Sequence, residues 1–328
     1  MNISTKFMGL DIKSPIIVGS CDFTSNINSL KKLEEAGAGA VILKSLFEEQ
    51  ITQEMNVNIK VYSSSFSGYP EAYDYIKQST KHESISKYLE LIKEAKKELN
   101  IPVIASINCI TASEWMSFVK KIEDAGADGI ELNMFILPSD VNLSHEDVER
   151  FYEDVVQIIK RATSLPISLK ISNYFTSLTR FVQKISWLGI SNLNIFNRFY
   201  SSDINIDTLE TYSVAKFSSQ YEFFNILRWT SIISEEIRCG LTSGTGVYRT
   251  EDPIKLLLAG ADTVQVVSAL HTEGIDFITK ANERLVEWMT SKNYKSINDF
   301  KGKMSVKKSN QASSFQRVQY MKYFSEIE

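Results

Sequence analysis

A short pattern recurs along this chain and constrains its fold more than any other feature. Glu35-Ala36-Gly37-Ala38 precedes Val41-Ile42-Leu43-Lys44, and Asp124-Ala125-Gly126-Ala127 precedes Ile130-Glu131-Leu132-Asn133. Leu258-Ala259-Gly260-Ala261 precedes Val264-Gln265-Val266-Val267, and Trp187-Leu188-Gly189-Ile190 before Leu193-Asn194-Ile195-Phe196 is a looser copy. Each copy reads as a helix closed by a glycine C-cap, then a short apolar strand buried on both faces. Strands alternating with helices imply right-handed βαβ units and a parallel sheet. Eight strands are expected, near residues 16–19, 40–44, 103–107, 129–133, 167–171, 192–196, 237–242 and 263–267, with helices such as 81–99 between them. Eight units favour a closed (β/α)8 TIM barrel of the α/β class over an open doubly wound sheet, and no GxGxxG follows the first strand. The expected domain is a single barrel over residues 1–302, with a tail, 303–328, packing on the barrel or on a partner subunit.

Composition narrows the function. A hydrophobic fraction of 43% in 328 residues suffices for one large core, and a net charge of −4 gives no reason to expect nucleic acid or an anionic membrane as partner. The start lacks a secretory apolar region and no run approaches the roughly 20 apolar residues of a membrane span, so a cytoplasmic protein is expected. Cys21, Cys109 and Cys239 lie far apart without a Cys-x-x-Cys, and His82, His145 and His271 lack ligand spacing. Neither a disulfide framework, an iron–sulfur cluster nor a metal site is expected. A long connection at 48–80, rich in Ser, Tyr and Gly, is of a length that often folds over a barrel's active site.

The segment 241–269 carries a phosphate-site pattern. It reads as a strand ending in a tight turn at Ser243-Gly244-Thr245-Gly246, a helix from near Thr250, and a second strand ending at Val267-Ser268. Small residues at successive strand ends let backbone N–H groups approach a phosphate, as barrels do after strands 7 and 8; the alternative is an ordinary exposed turn. Active sites of such barrels lie at the C-terminal strand ends. Those ends read Ser20-Cys21, Lys44-Ser45, Asn108-Cys109, Asn133, Lys170 and Asn197-Arg198, then the two phosphate turns. Lysines there are costly unless they meet an anion or snorkel to solvent, and the set suits a planar, polar, phosphorylated cofactor.

These pieces resemble the soluble, class 1 dihydroorotate dehydrogenases, FMN enzymes of pyrimidine biosynthesis, over nearly the whole length. The matches are Ser14-Pro15 before Gly19-Ser20, the 35–45 segment ending Lys44-Ser45, Ser106-Ile107, Ile130-Glu131-Leu132-Asn133 and Leu169-Lys170 ahead of Asn173-Tyr174-Phe175. Gly246-Val247 ahead of Glu251-Asp252, the run Ser268 to Gly274, and Lys295 to Gly302 complete the set. The resemblance implies FMN across the barrel mouth, its phosphate on Thr245-Gly246 and Val267-Ser268, and hydride passing to flavin N5. It implies Lys170 near the N1/O2 edge, Lys44 and Ser45 touching flavin and substrate, Ser20 and Cys21 offering backbone, Phe196 at the ring, and Asn133 and Asn197 bonding flavin or substrate. It also implies a homodimer.

The chain departs from the family at the catalytic loop. The family's base is the cysteine of Asn-x-Ser-Cys-Pro-Asn, whereas here the loop reads Asn133-Met134-Phe135-Ile136-Leu137-Pro138-Ser139-Asp140, with Ile136 at the cysteine's place, or Leu137 if Pro138 is aligned with the family's proline. Losing such a base costs about 10²–10⁴ in rate. Substitute bases are Asp140, Ser139, Tyr69, Cys109 and Cys21. The lid's Gly-Leu-Pro-Asn appears as Gly68-Tyr69-Pro70-Glu71, and Arg198 either pairs with Glu71 or binds a different acid. A Gly-Gly becomes Thr245-Gly246, and a glycine-containing loop becomes Phe217-Ser218-Ser219; backbone donors survive such changes if φ stays negative. Three readings stand: a dihydroorotate-oxidising or related FMN enzyme, a flavin-binding barrel without turnover, and a barrel binding a phosphorylated metabolite without flavin.

Overall fold

A computed structural model describes residues 1–47, 70–108, 112–198, 201–214, 217–309 and 315–316; within these, 70–82 and 112–115 are described as helix backbone alone. Tyr69, Cys109, the side chain of Glu71 and most of the 315–324 segment therefore lie outside the described residues, as does 48–69.

The chain opens with an antiparallel hairpin, β1 (Thr5–Phe7) and β2 (Leu10–Ile12), which the sequence pattern does not announce. Its buried Phe7, Met8 and Ile12 pack with Ile17, Ala40, Ile42 and Ile104, closing the barrel from below. Then come β3 (Ile16–Val18), α1 (Ile27–Glu35), β4 (Ala40–Ile42) and a two-residue β5 (Leu46–Phe47). Next are α2 (Pro70–Glu98), β6 (Val103–Asn108), α3 (Ala112–Asp124), β7 (Gly129–Asn133), α4 (His145–Ala162), β8 (Ile167–Ile171), α5 (Leu178–Trp187) and β9 (Asn192–Ile195). A hairpin, β10 (Ser201–Asn205) with β11 (Glu210–Val214), precedes α6 (Glu222–Ile233), β12 (Gly240–Gly244), α7 (Asp252–Ala259), β13 (Thr263–Val266), α8 (Ser268–Glu273) and α9 (Phe277–Ser291).

Eight parallel strands close the barrel in the order β4-β3-β13-β12-β9-β8-β7-β6, with β6 returning to β4. The repeat glycines do what the pattern requires: Gly37, Gly126, Gly189 and Gly260 adopt φ of 93°, 91°, 84° and 116°, which lets each helix turn directly into its strand. Helix α4 shows the packing logic. Val148, Tyr152, Val155, Val156 and Ile159 form one buried face, and Ser144 with Asp147 makes a capping box.

Three expectations change. The strands are buried on both faces, but β7, β8, β9 and β13 are apolar on only one, because their alternate positions form a polar interior. Asn192 donates to Ser168 at 2.9 Å, and the hydroxyls of Thr242 and Thr263 meet at 2.7 Å, so enclosed polar groups satisfy one another. The seventh strand begins and ends later than 237–242, at Gly240–Gly244, since Ser243 and Gly244 still pair with Val264 and Gln265. The turn thus starts at Thr245, and α7 starts at Asp252, whose carboxylate accepts from the Tyr248 and Arg249 N–H groups. The connection 48–80 is shorter than expected, because α2 begins at Pro70, a residue suited to a first helical position.

The tail after Gly302 starts against the barrel: Met304 N donates to Leu258 O and Val306 N to Ser231 O, while Lys307 and Lys308 reach Glu236 and Glu235 at 3.0 and 2.7 Å. Among the described residues no helix is long and apolar enough to cross a membrane.

Candidate active site

The C-terminal strand ends open into a cleft of about 960 Å³. Its floor is made by alternate residues of the strands, which a parallel barrel stacks in layers. Lys170, from β8, is paired in register with Asn133 of β7 and Asn194 of β9, so it emerges between two amides. Its side chain is 14% exposed, and its Nζ lies 4.0 Å from Oε1 of the buried Glu131 one layer below.

A chain of neutral hydrogen-bonding groups crosses one side of the floor. Asn197 Nδ2 donates to Asn133 Oδ1 at 2.5 Å, and Asn133 Nδ2 points to Ser45 Oγ at 3.4 Å. Ser45 Oγ meets Ser20 Oγ at 3.0 Å and Ser106 Oγ at 2.7 Å, and the Ser45 N–H donates to Ser20 Oγ. Tyr88 anchors this chain from α2: its hydroxyl accepts from Ser106 N at 2.8 Å and donates to Ser106 O at 3.1 Å. The groups are thereby held by one another before any ligand arrives, which is how a preorganised polar surface is built.

The opposite side is a donor cluster. Gly246 has φ +73°, and a Cβ there would come within 2.4 Å of the Phe223 backbone nitrogen, so only glycine fits. Its N–H donates to Ser218 Oγ at 3.1 Å, while Ser218 N and Oγ both reach Ser268 Oγ. Thr245 adopts φ +76°, so the condition of a negative φ set for this substituted position is not met; its hydroxyl donates to Phe196 O at 3.1 Å. Val267 and Phe196 line the same end of the cleft.

The rim carries cations already paired with carboxylates. Lys44 Nζ lies 2.7 Å from Asp22 Oδ1, and Arg198 Nε donates to Glu222 Oε1 at 3.0 Å. Cys21 also lines the cleft, and burial pushes its thiol up, against hydrogen bonds from the Phe23 and Thr24 backbone that pull it down. His271 sits between the rings of Phe23 and Phe217, with centroids 4.7 and 5.0 Å away.

The predicted residues that the structure describes therefore converge, except Asp140 and Ser139. Asp140 does not line the cleft; it is exposed and accepts from Asn142 N and Nδ2 at 2.9 and 3.1 Å. The loop after β7 turns Met134, Phe135 and Ile136 to the cleft and leaves Asp140 and Ser139 exposed on the far side of Pro138. Sequence reading missed Asn194 and Gln265, which line the cleft floor, and Glu131, which lies buried beneath them. Their signal is the polar residue at every second position of strands otherwise built from Ile, Leu and Val. Among the described residues no cluster has the composition of a metal site.

Comparison with known proteins agrees with this architecture. The chain is 24% identical over 307 residues to the catalytic subunit of dihydroorotate dehydrogenase B (NAD(+)) of Methanocaldococcus jannaschii, covering 89% of this chain and 94% of that one. It is 26% identical over 330 residues to dihydroorotate dehydrogenase A (fumarate) of Lactococcus lactis subsp. lactis, covering 92% and 99% of the two chains. A dihydroorotate dehydrogenase (fumarate) of Trypanosoma brucei brucei is 23% identical over 326 residues. The sequence model described as "Dihydroorotate dehydrogenase" matches residues 2–289, nearly the whole barrel, and the chain belongs to the dihydroorotate dehydrogenase family of oxidoreductases.

Proposed function

We propose that the protein is an FMN-dependent oxidoreductase acting on a CH–CH bond of a small substrate, dihydroorotate being the first candidate. One observation carries the reading: the same cleft joins a recessed lysine at its floor to a cluster of small-residue donors at its far side. The residues fit the cofactor. The glycine-restricted turn at Gly246, with the hydroxyls of Ser218 and Ser268, suits a phosphate, because donors converge where no Cβ intrudes. Lys170 supplies a cation for the ring edge that carries negative charge after reduction, and the recess keeps that charge weakly screened.

When bound, FMN supplies a two-electron acceptor for hydride. The chain's own groups orient the reactants. Asn133 and Asn197 fix each other and offer their remaining donors and acceptors to a planar ring, and Ser45 holds the adjoining edge through Ser20 and Ser106. The cofactor and its position and a homodimer rest on the family resemblance, and with the cytoplasmic setting they stand as parts of this proposal.

A second reading concerns the substrate. Met134, Phe135 and Ile136, facing Phe151, give the cleft an apolar wall beside Asn133. Such a wall rewards a less polar ring than dihydroorotate. The test is anaerobic: dihydroorotate is added to FMN-loaded protein and the oxidised flavin band is followed. Bleaching supports dihydroorotate oxidation. A band that dithionite bleaches and dihydroorotate does not overturns that substrate, and failure to take up FMN overturns the cofactor reading.

A further inference from the structure

Under the cleft floor the barrel holds a carboxylate that the proposed chemistry does not itself use. Glu131 is fully buried. Its Oε2 accepts from Asn194 Nδ2 at 2.7 Å, and Asn194 also donates to Gln265 Oε1. Its Oε1 has no hydrogen-bond partner. That open oxygen is the one facing Lys170 Nζ, at 4.0 Å, beyond hydrogen-bond length. The carboxylate is therefore gripped on one oxygen and left unsatisfied on the side of the lysine.

Fold alone does not account for this arrangement. The neighbouring interior positions are filled by neutral Ser168, Asn192, Thr242 and Thr263, which satisfy one another without charge. A buried carboxylate with an orphaned oxygen is unfavourable, and such a group in a native site calls for a role. Among the described residues the other two cation pairs of the cleft are close contacts at its rim, and Lys44 and Asp22 are both well exposed, so solvent and salt weaken that pair. The Lys170–Glu131 pair is recessed, and its field is the least screened in the cleft.

We propose that Glu131 is a positioning residue that holds the Lys170 ammonium at the floor and sets how strongly its charge is felt by the ring above. The inference rests on the FMN reading of the cleft. Lys170 favours electrons arriving on that ring, and Glu131 opposes them, both directly and by drawing the ammonium downward. The net effect is a flavin harder to reduce than the lysine alone would make it.

The test uses the full chain loaded with FMN and measures the two-electron midpoint potential of the bound flavin against reference dyes. Glu131→Gln keeps the size and an oxygen for Asn194 while removing the charge. It is expected to shift the reduction equilibrium at least about tenfold toward the reduced form, which for two electrons is about 30 mV. Glu131→Asp, which withdraws the charge by a methylene, is expected to shift it the same way by a smaller step, and decides the matter if the glutamine variant does not fold. A folded, FMN-loaded variant whose potential stays at the wild-type value overturns the inference while leaving the cofactor reading intact. Wild-type protein that takes up no FMN overturns both.

Discussion

Thr245 offers a sharp test of the phosphate-side turn, because the structure places a β-branched residue in the left-handed region, at φ +76°. For an L-residue that conformation costs about 1–2 kcal/mol. Two substitutions isolate this cost. Both Thr245→Gly and Thr245→Ala lose the hydroxyl bond to Phe196 O, so that loss cancels when the two are compared. Alanine keeps the left-handed penalty, whereas glycine escapes it but adds about 0.5–1 kcal/mol of lost backbone freedom. Subtracting the midpoints leaves glycine more stable than alanine by about 0.7 kcal/mol, the reverse of their order in an ordinary strand or helix. Urea unfolding of both variants without cofactor, with equal m values, reads the difference. An alanine variant as stable as the glycine variant, or more so, would refute a left-handed Thr245.

Two further outcomes are expected. Asp140→Ala leaves flavin bleaching within about twofold of wild type with any substrate that bleaches it, since loss of a true base costs about 10²–10⁴; a loss of that size would bring Asp140 back as the base. Burial pushes the Cys239 thiol from 9.0 up to about 12, so the folded chain keeps a proton that the unfolded chain gives up. Its contribution is complete below pH 9.0 and fades as pH rises toward about 12. Urea titrations across that window should show wild type losing more stability than Cys239→Ala; parallel curves would contradict the raised thiol.

Most of the barrel was legible because its signals are local. A glycine after a helix followed by an apolar run requires only neighbours in sequence, and all four copies form the turn they announce. The strand-end residues were legible too, since in a parallel barrel the end of a strand is the edge of the cleft. Less could be read where partners are distant. The β10–β11 hairpin is exposed along most of its length, so no periodic apolar face betrays it. Glu131, Asn194 and Gln265 look like isolated interruptions of apolar strands, and only closure of the barrel brings them together. Asp140 shows the converse limit. It follows a strand end by seven positions, but the Asx-type turn it makes with Asn142 leaves it exposed, and no spacing rule encodes that direction.

Among the described residues every cleft lysine and arginine is paired with a carboxylate, which bears on what the site can accept. An anionic substrate needs a cation, and at first sight Lys44 and Arg198 are already taken. Asp22 does not hold Lys44 firmly, however. Lys44 and Asp22 are 48% and 61% exposed, and a solvent-exposed pair contributes only about 0–1 kcal/mol. A ligand carboxylate in a drier position could outbid Asp22 at little cost, so the rim does not exclude anions. Glu131 differs because it is buried and its pair with Lys170 is shielded from water. The recessed charge is thus reserved while the Lys44 charge remains recruitable. Selection among small substrates then falls to the uncharged wall of Met134, Phe135 and Ile136, where a polar ring gives up hydrogen bonds to water and finds no partner in return.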